Sequence, residues 1–580
     1  MEPIIDKLIK LNDEWTEAGL QKQVTDPSSK YAGGVMDEST GIPRANHLGT
    51  PAVMAAWAAS LVNPASRYYH HAGLLHALEQ ASDFMLRRQH ADGTISLGST
   101  NFNSPPDTAF VVGGVTQIYR LLERAEWPDA LPAMANIKEF LTRTIPALLT
   151  GGCHTPNHRW VITAALAQLY EIFAQPELLH RAEEWLAEGI DITEDGEWTE
   201  RSNGIYNAVS DISLYHTARA FGRPELLEYV RRNLRMMAYL IHPDGEVVTD
   251  YSGRQDLGQT FDLSNYFLVC RLMAVHDADP LFAAMADYAA SFISRYKEGV
   301  NNHPMVGVLL FPSNLENVER DQLPQRYVKW LNFGHPMEEH LNRVQQVGHH
   351  MQIQHSSMHL AFGAPVVRIR ELDDSVTMMA KAPSFFSLRH GKARLLGVKL
   401  ATSFSPGVVS FDKLSADSSG VYTFHSVLEK GYNGPIPKEL LAELAPDTKM
   451  SPWYLLPHHR RPFTHAQQFA ITAEITQEQH AWRIRVHADE REDVFAQLTF
   501  IFGIEGQLTG SGIVPISEGR CFFQEGTLHY SAGQDAIEIS SGAFEHRLPE
   551  LREVPYPGGC QYAHVNLLSP FDHTFTIRLL

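Results

Sequence analysis

The chain has 580 residues, with 48 basic side chains against 67 acidic ones and a net charge of -19. That sign excludes the electrostatic footprint of a non-specific nucleic-acid binder, and no long uncharged apolar run offers a membrane span. Cys153, Cys270, Cys521 and Cys560 stand far apart without a CxxC pair, which excludes a disulfide framework and suits a reducing, cytoplasmic setting.

The first segment, MEPIIDKLIKLNDEWTEAG, predicts an amphipathic helix. Its Asp6, Asp13 and Glu14 and its lack of an apolar core make it a poor signal peptide. Helical periodicity then recurs at 52–62, 70–89, 108–126, 135–149, 159–173, 178–190, 205–221, 226–241, 261–276 and 279–296. Pro, Gly, Asp and Asn punctuate the gaps. Paired helices without a strict repeat predict an incomplete (α/α) toroid rather than a tandem solenoid. Around 300–350 the period fades and Pro, Asn and His accumulate, as in a bridging segment. From about 352 onward, short alternating runs rich in Val, Phe and Thr predict an antiparallel β-sandwich. The expected domains are 1–340 (toroid) and 341–580 (sandwich).

Four polar loops precede predicted helices of the first half. NFNSPPDTAF (101–110) carries Asn101, Asn103 and Asp107; GGCHTPNHRW (151–160) carries His154, Asn157, His158 and Arg159. DGEWTERSNGIYN (195–207) carries Glu200, Arg201, Asn203 and Tyr206; PDGEVVTDYSGRQD (243–256) carries Asp250, Tyr251, Arg254 and Asp256. Helix capping by Asn157, Ser202 or Asn203 is the plainer explanation of single residues. It leaves the cations unexplained, since positive groups are disfavoured at a helix N-terminus, where donors face an anion instead. In a toroid such loops gather at one end and line a single cleft. No GxSxG, Walker loop or strand-linked GxGxxG is present. A set of His, Asn, Arg and Tyr suits removal of a proton beside a carboxylate, because the developing charge must be neutralised. A Tyr, deprotonated beside a cation, takes the C5 proton of a uronic acid, and the same or another Tyr protonates the leaving glycosidic oxygen. The result is β-elimination.

The helical half, the sandwich, the Asn157–His158 pair and the segment ERSNGIY together resemble heparinase II/III-like and oligoalginate-lyase-like polysaccharide lyases. The resemblance implies a carbon–oxygen lyase acting on polysaccharides, with Asn157 and His158 neutralising the substrate carboxylate and Tyr206 as acid, or as acid and base. Asn103, His154, Arg159, Glu200, Arg201, Tyr251 and Arg254 are the expected substrate-binding residues. The family often adds a β-domain histidine, for which His349, His350, His355 and His390 are candidates. Some relatives hold a structural divalent metal in the β-domain; no ligand spacing in this chain assigns one. The expected partner is an acidic oligosaccharide, with no nucleic acid or membrane and with a homodimer one open option. Without a secretion signal, exo-action on imported oligosaccharides is expected. Two other readings stay open: a glycoside hydrolase using a carboxylate pair among Asp107, Glu200, Asp250 and Asp256, and a non-catalytic carbohydrate-binding protein.

Overall fold

The computed structural model describes residues 3–294, 299–312, 315–346, 359–441, 453, 456–488 and 490–580. The chain divides into a helical unit, 1–325 with 334–363, and a β unit, 326–333 with 364–580. The units interleave because strand Arg326–Leu331 pairs antiparallel with Val366–Glu371, Arg326 lying opposite Glu371.

The helical unit is an incomplete (α/α) toroid. Its inner helices are α2 (Thr50–Val62), α4 (Pro105–Arg124), α6 (Pro156–Phe173), α8 (Tyr206–Phe221), α10 (Phe267–Asp277) and α12 (Pro304–Leu310). Each packs on the next, and α12 returns to α2. The outer helices α1 (Pro3–Gln21), α3 (Ala72–Arg88), α5 (Leu131–Thr150), α7 (Pro176–Leu186), α9 (Leu227–Met237) and α11 (Pro280–Phe292) each lie against an inner one.

Composition separates the two rings. In α2, TPAVMAAWAASLV, 11 of 13 residues are buried, whereas in α7, PELLHRAEEWL, only Leu178 and Ala182 are. A helix apolar on all sides needs neighbours on all sides; one with a single apolar stripe keeps a wet face. Pro near the first position starts α2, α4, α6, α7, α11 and α12, where its missing N–H costs nothing. Four of the six inner helices, α2, α4, α6 and α12, thus begin at a proline.

The β unit packs two sheets face to face. One contains Phe386–His390, Ala393–Thr402, Phe495–Gly503 and Cys560–Leu568; the other contains Val421–Asn433, Phe463–Glu478, Ala481–Ala488 and Asp572–Leu579. Phe386, Leu400, Phe500 and Val565 of the first meet Phe424, Ile471, Ile484 and Phe575 of the second in one core. Within Phe463–Glu478, Phe469, Ile471, Ala473 and Ile475 are buried in alternation, as period-two side-chain geometry requires. The pairing is antiparallel throughout the described strands except where Arg520–Phe523 runs parallel to Cys560–Leu568.

Candidate active site

The starts of α4, α6 and α8 open on one cavity of about 770 Å³ in the helical unit. Its size is that of a small-ligand site. His154, His158, Tyr206 and Arg254 line it, and so do Arg44, His47, Asn101, Asp107 and His359.

Tyr206 is the first residue of α8, its N–H donating to Ser202 Oγ at 3.2 Å. Its hydroxyl oxygen accepts from Gln255 Nε2 at 2.5 Å, and the Arg254 guanidinium lies over its ring at 4.3 Å. Burial pushes its phenol above the usual tyrosine range; the Gln255 hydrogen bond opposes this, and the charges of Asp256 and Asp107 add to it. Arg254 in turn pairs with Glu200, which is 3% exposed. The same carboxylate accepts from Asn157 Nδ2 at 2.6 Å and from the Asn157 backbone N–H at 3.3 Å. Glu200 therefore ties the start of α6 to the cation above Tyr206.

The loops carrying these groups are themselves braced. Asp256, fully buried, accepts from Ser202 Oγ at 2.9 Å, from the Gly204 N–H at 3.0 Å and from Ser252 Oγ. Gly204 has to be glycine for this approach: a Cβ there would lie 2.8 Å from the Phe261 ring and 3.1 Å from Asp256 Oδ2.

His158 sits in the first turn of α6, 7% exposed, its ring 4.7 Å from that of His154 in an edge-on arrangement. Burial, reinforced by the positive fields of His154, Arg254 and His47, pushes its pKa down to about 3. It is a neutral imidazole at physiological pH, and its Nδ1 is buried with no hydrogen-bond partner among the described residues. His359 is held neutral in the same way, to about 4, by burial and by Arg254.

Across these groups, His47 stacks on Phe110 with ring centroids 4.7 Å apart. Burial brings its pKa to about 4, against the attraction of Asp107 and with the help of Arg44. Asp107 Oδ2 accepts from Ser104 Oγ at 2.5 Å and Asn101 Nδ2 at 2.9 Å. Arg44 forms a two-point pair with Asp37, at 2.6 and 3.1 Å.

The structure gathers His154, His158, Tyr206 and Arg254 on the cavity, with Glu200 and Asn157 immediately behind. Other expected contacts are turned elsewhere. Asn103, in the left-handed region (φ 42), donates to Asp92 at 3.0 Å, and its neighbour Asn101 faces the cavity. Arg159 pairs with Asp191 at 2.8 Å and Glu188 at 3.1 Å and lies on Trp160. Arg201 is 1% exposed, paired with Glu197 at 3.2 Å and packed 4.8 Å over the ring of the buried Tyr251. These three cations and amides satisfy nearby carboxylates first, because local ion pairs in partly buried surroundings outcompete a vacant cleft. His390 belongs to the β unit, where Asp374 at 2.6 Å raises its pKa. His349, His350 and His355 lie outside the described residues. Of the four carboxylates considered for hydrolysis, Asp107 alone lines the cavity among the described residues; Asp250 and Asp256 are buried and Glu200 is engaged by Arg254 and Asn157. Nor do three His, Cys, Asp or Glu side chains gather as a metal site among those residues.

Sequence reasoning missed Arg44, His47, Gln255 and His359. A signal existed for the first two: GIPRANHLGT (41–50) is also a polar loop feeding an inner helix, α2.

No family model and no curated protein matches the chain. Solved structures do. A chondroitin AC lyase from Streptomyces coelicolor A3, in complex with chondroitin sulphate, superposes with a TM-score of 0.52 at 11% identity, covering 100% of this chain and 80% of that one. Heparinase III gives 0.51 at 11% identity, covering 99% and 84%. A Paenibacillus xanthan lyase gives 0.55 at 8% identity, covering 100% of this chain but 57% of the other. At such identities the likeness is one of fold: a toroid followed by β-sheets, as these polysaccharide lyases have.

Proposed function

We propose that the protein is a lyase that cleaves uronic-acid-containing glycans by β-elimination, acting from the chain end on oligosaccharides. The observation that carries this reading is Tyr206: a phenol on a cavity wall, under the Arg254 guanidinium and bonded to Gln255, beside two neutral histidines.

The proposed steps balance. The uronate carboxylate docks against Arg254 and the His154–His158 pair, which spread the charge that develops when C5 loses its proton. Tyr206, as phenolate, takes that proton. The C4–O bond breaks, a C4–C5 double bond forms, and the phenol returns the proton to the leaving oxygen. Burial keeps the phenol protonated and the Gln255 amide donor opposes this; in this scheme the Arg254 guanidinium over the ring, 4.3 Å from its centroid, is the positive charge that faces the phenolate. Asn157 acts through Glu200 in this scheme: it holds the carboxylate that holds Arg254.

Incubation with short uronate oligosaccharides tests this. The expected result is ultraviolet absorbance from the unsaturated sugar, with one small product released from the chain end. New reducing ends without that absorbance would replace the reading with hydrolysis. Mid-chain cuts, equally fast on long polymer, would refute the exo-acting part alone.

A further inference from the structure

We propose that His47 and Asp107, with Asn101, form a subsite for neighbouring hydroxyls of an uncharged sugar, so that the substrate is an unsulfated glycan whose reacting uronate adjoins a neutral sugar. This rests on the lyase reading of the same cavity and names the substrate class within it.

His47 is fixed yet chemically unspent. Phe110 stacks on one face, and a Cβ at position 299 would lie 3.0 Å from His47 Cδ2, so only Gly299 leaves room for the ring there. The Val300 N–H donates to the His47 carbonyl at 3.0 Å and pins the backbone. Despite this, the ring makes no hydrogen bond among the described residues, and its Nδ1 is buried. A polar group held in place and left unsatisfied is uncommon in a finished core and points to a ligand. Burial keeps it neutral, so the imidazole offers one donor and one acceptor, the complement of a sugar hydroxyl.

Asp107 is committed on one side only. Its Oδ2 takes Ser104 and Asn101, while its Oδ1 carries no hydrogen bond among the described residues, and the residue lines the cavity. A carboxylate accepts two hydroxyl protons well, but it repels a sulfate or a second carboxylate placed beside it. Arg44 on the same wall is held by Asp37 in a two-point ion pair. Leu48 and Leu97 add apolar surface to the same wall, suited to the C–H face of a sugar ring.

The test uses the Tyr206→Phe protein, in which turnover is expected to be slowed at least about 10²-fold, and calorimetry with three probes of equal length. They are an unsulfated oligosaccharide alternating uronate and neutral hexose, a homo-oligouronate, and a sulfated uronate–hexosamine oligosaccharide. The first should bind tightest. His47→Gln should weaken it by about tenfold, the scale of one lost hydrogen bond with its partner stranded. Asp107→Asn should narrow its advantage over the two anionic probes by a similar factor. Tighter binding of either anionic probe, or an unchanged preference in both variants, overturns the subsite. If Asp107→Asn fails to fold, as judged by its melting transition, His47→Gln decides alone. Failure of the lyase reading shows separately, as no unsaturated product from any probe with the protein carrying Tyr206; failure of the subsite shows as product formed with the preference reversed.

Discussion

Two buried polar networks, one in each unit, differ in what they leave over. In the β unit, Lys399, Gln497, Thr499, Arg520, His564 and Asn566 lie on one sheet beside the segment 543–562. Asn566 Nδ2 donates to the carbonyls of His546 and Leu548, and its Oδ1 accepts from Gln497. Gln497 accepts from the Tyr556 hydroxyl at 2.7 Å, Lys399 Nζ donates to the Pro555 carbonyl at 2.7 Å, and His564 Nδ1 meets Thr499 at 2.9 Å. Burial brings Lys399 down to about 8 and His564 to about 3, yet every one of these groups has found its partner. In the helical unit the shifts are of the same kind, but His158 Nδ1, His47 Nδ1 and Asn157 Oδ1 are left unmatched, the two histidines around an open cavity. The lesson is that a displaced pKa marks burial, whereas a displaced pKa with unspent hydrogen bonds at a cavity marks a candidate site.

Substitutions sharpen the contrast, beginning with the largest effect. Tyr206→Phe removes the proton carrier and should lower kcat by about 10²- to 10⁴-fold with its melting temperature nearly unchanged; a loss below fivefold would move the acid–base role elsewhere. Glu197→Ala, by contrast, removes the carboxylate paired with the buried Arg201 and should cost about 3–5 kcal/mol of stability in denaturant titration. Glu200→Gln keeps the shape but releases the clamp on Arg254. Its kcat should fall about 10- to 100-fold, with a shift in the alkaline limb of the pH profile that a purely structural residue would not give. In the saturated network, Asn566→Leu strips the His546 carbonyl of its amide donor and, among the described residues, leaves Gln497 Nε2 and the Leu548 carbonyl only their mutual 3.4 Å hydrogen bond; it should cost about 1–3 kcal/mol, with kcat of the surviving folded protein unaltered.

The smallest effect is in pH. His158, His47 and His359 carry pKa values of about 3, 4 and 4 against 6.5 when unfolded. Between about pH 4 and 6.5 the unfolded chain binds more protons than the folded one, so stability is whole above 6.5 and is lost as pH falls through that window. Melting temperature should decline on acidification there. Over the same range kcat/KM, measured where the protein stays folded, should show no inflection near 6.5; one would mean that a protonated histidine takes part.

Much of the fold was legible because burial leaves a periodic imprint. The run AVMAAWAASLV could only be an element surrounded on all sides, and it became the inner helix α2. The alternation in QFAITAEITQ became the half-buried strand Phe463–Glu478. Tyr206, His158 and Arg254 were legible as polar residues massed before helices, an unusual expense of donors at helix starts. Arg159, Arg201 and Asn103 have the same composition and the same kind of position, and nothing in their spacing announces that Asp191, Glu197 and Asp92 stand within reach.

The sequence by itself therefore determined which segments are helices, which are strands, and that polar loops feed the inner ring, since these follow from local periodicity and capping. The tertiary structure alone decided which members of those loops face the cavity. Glu200 and Arg254 meet across 54 positions, and His47 reaches Phe110 across 63. Whether a side chain remains available depends on which partners folding brings beside it, and pairings over such distances leave no trace in local order.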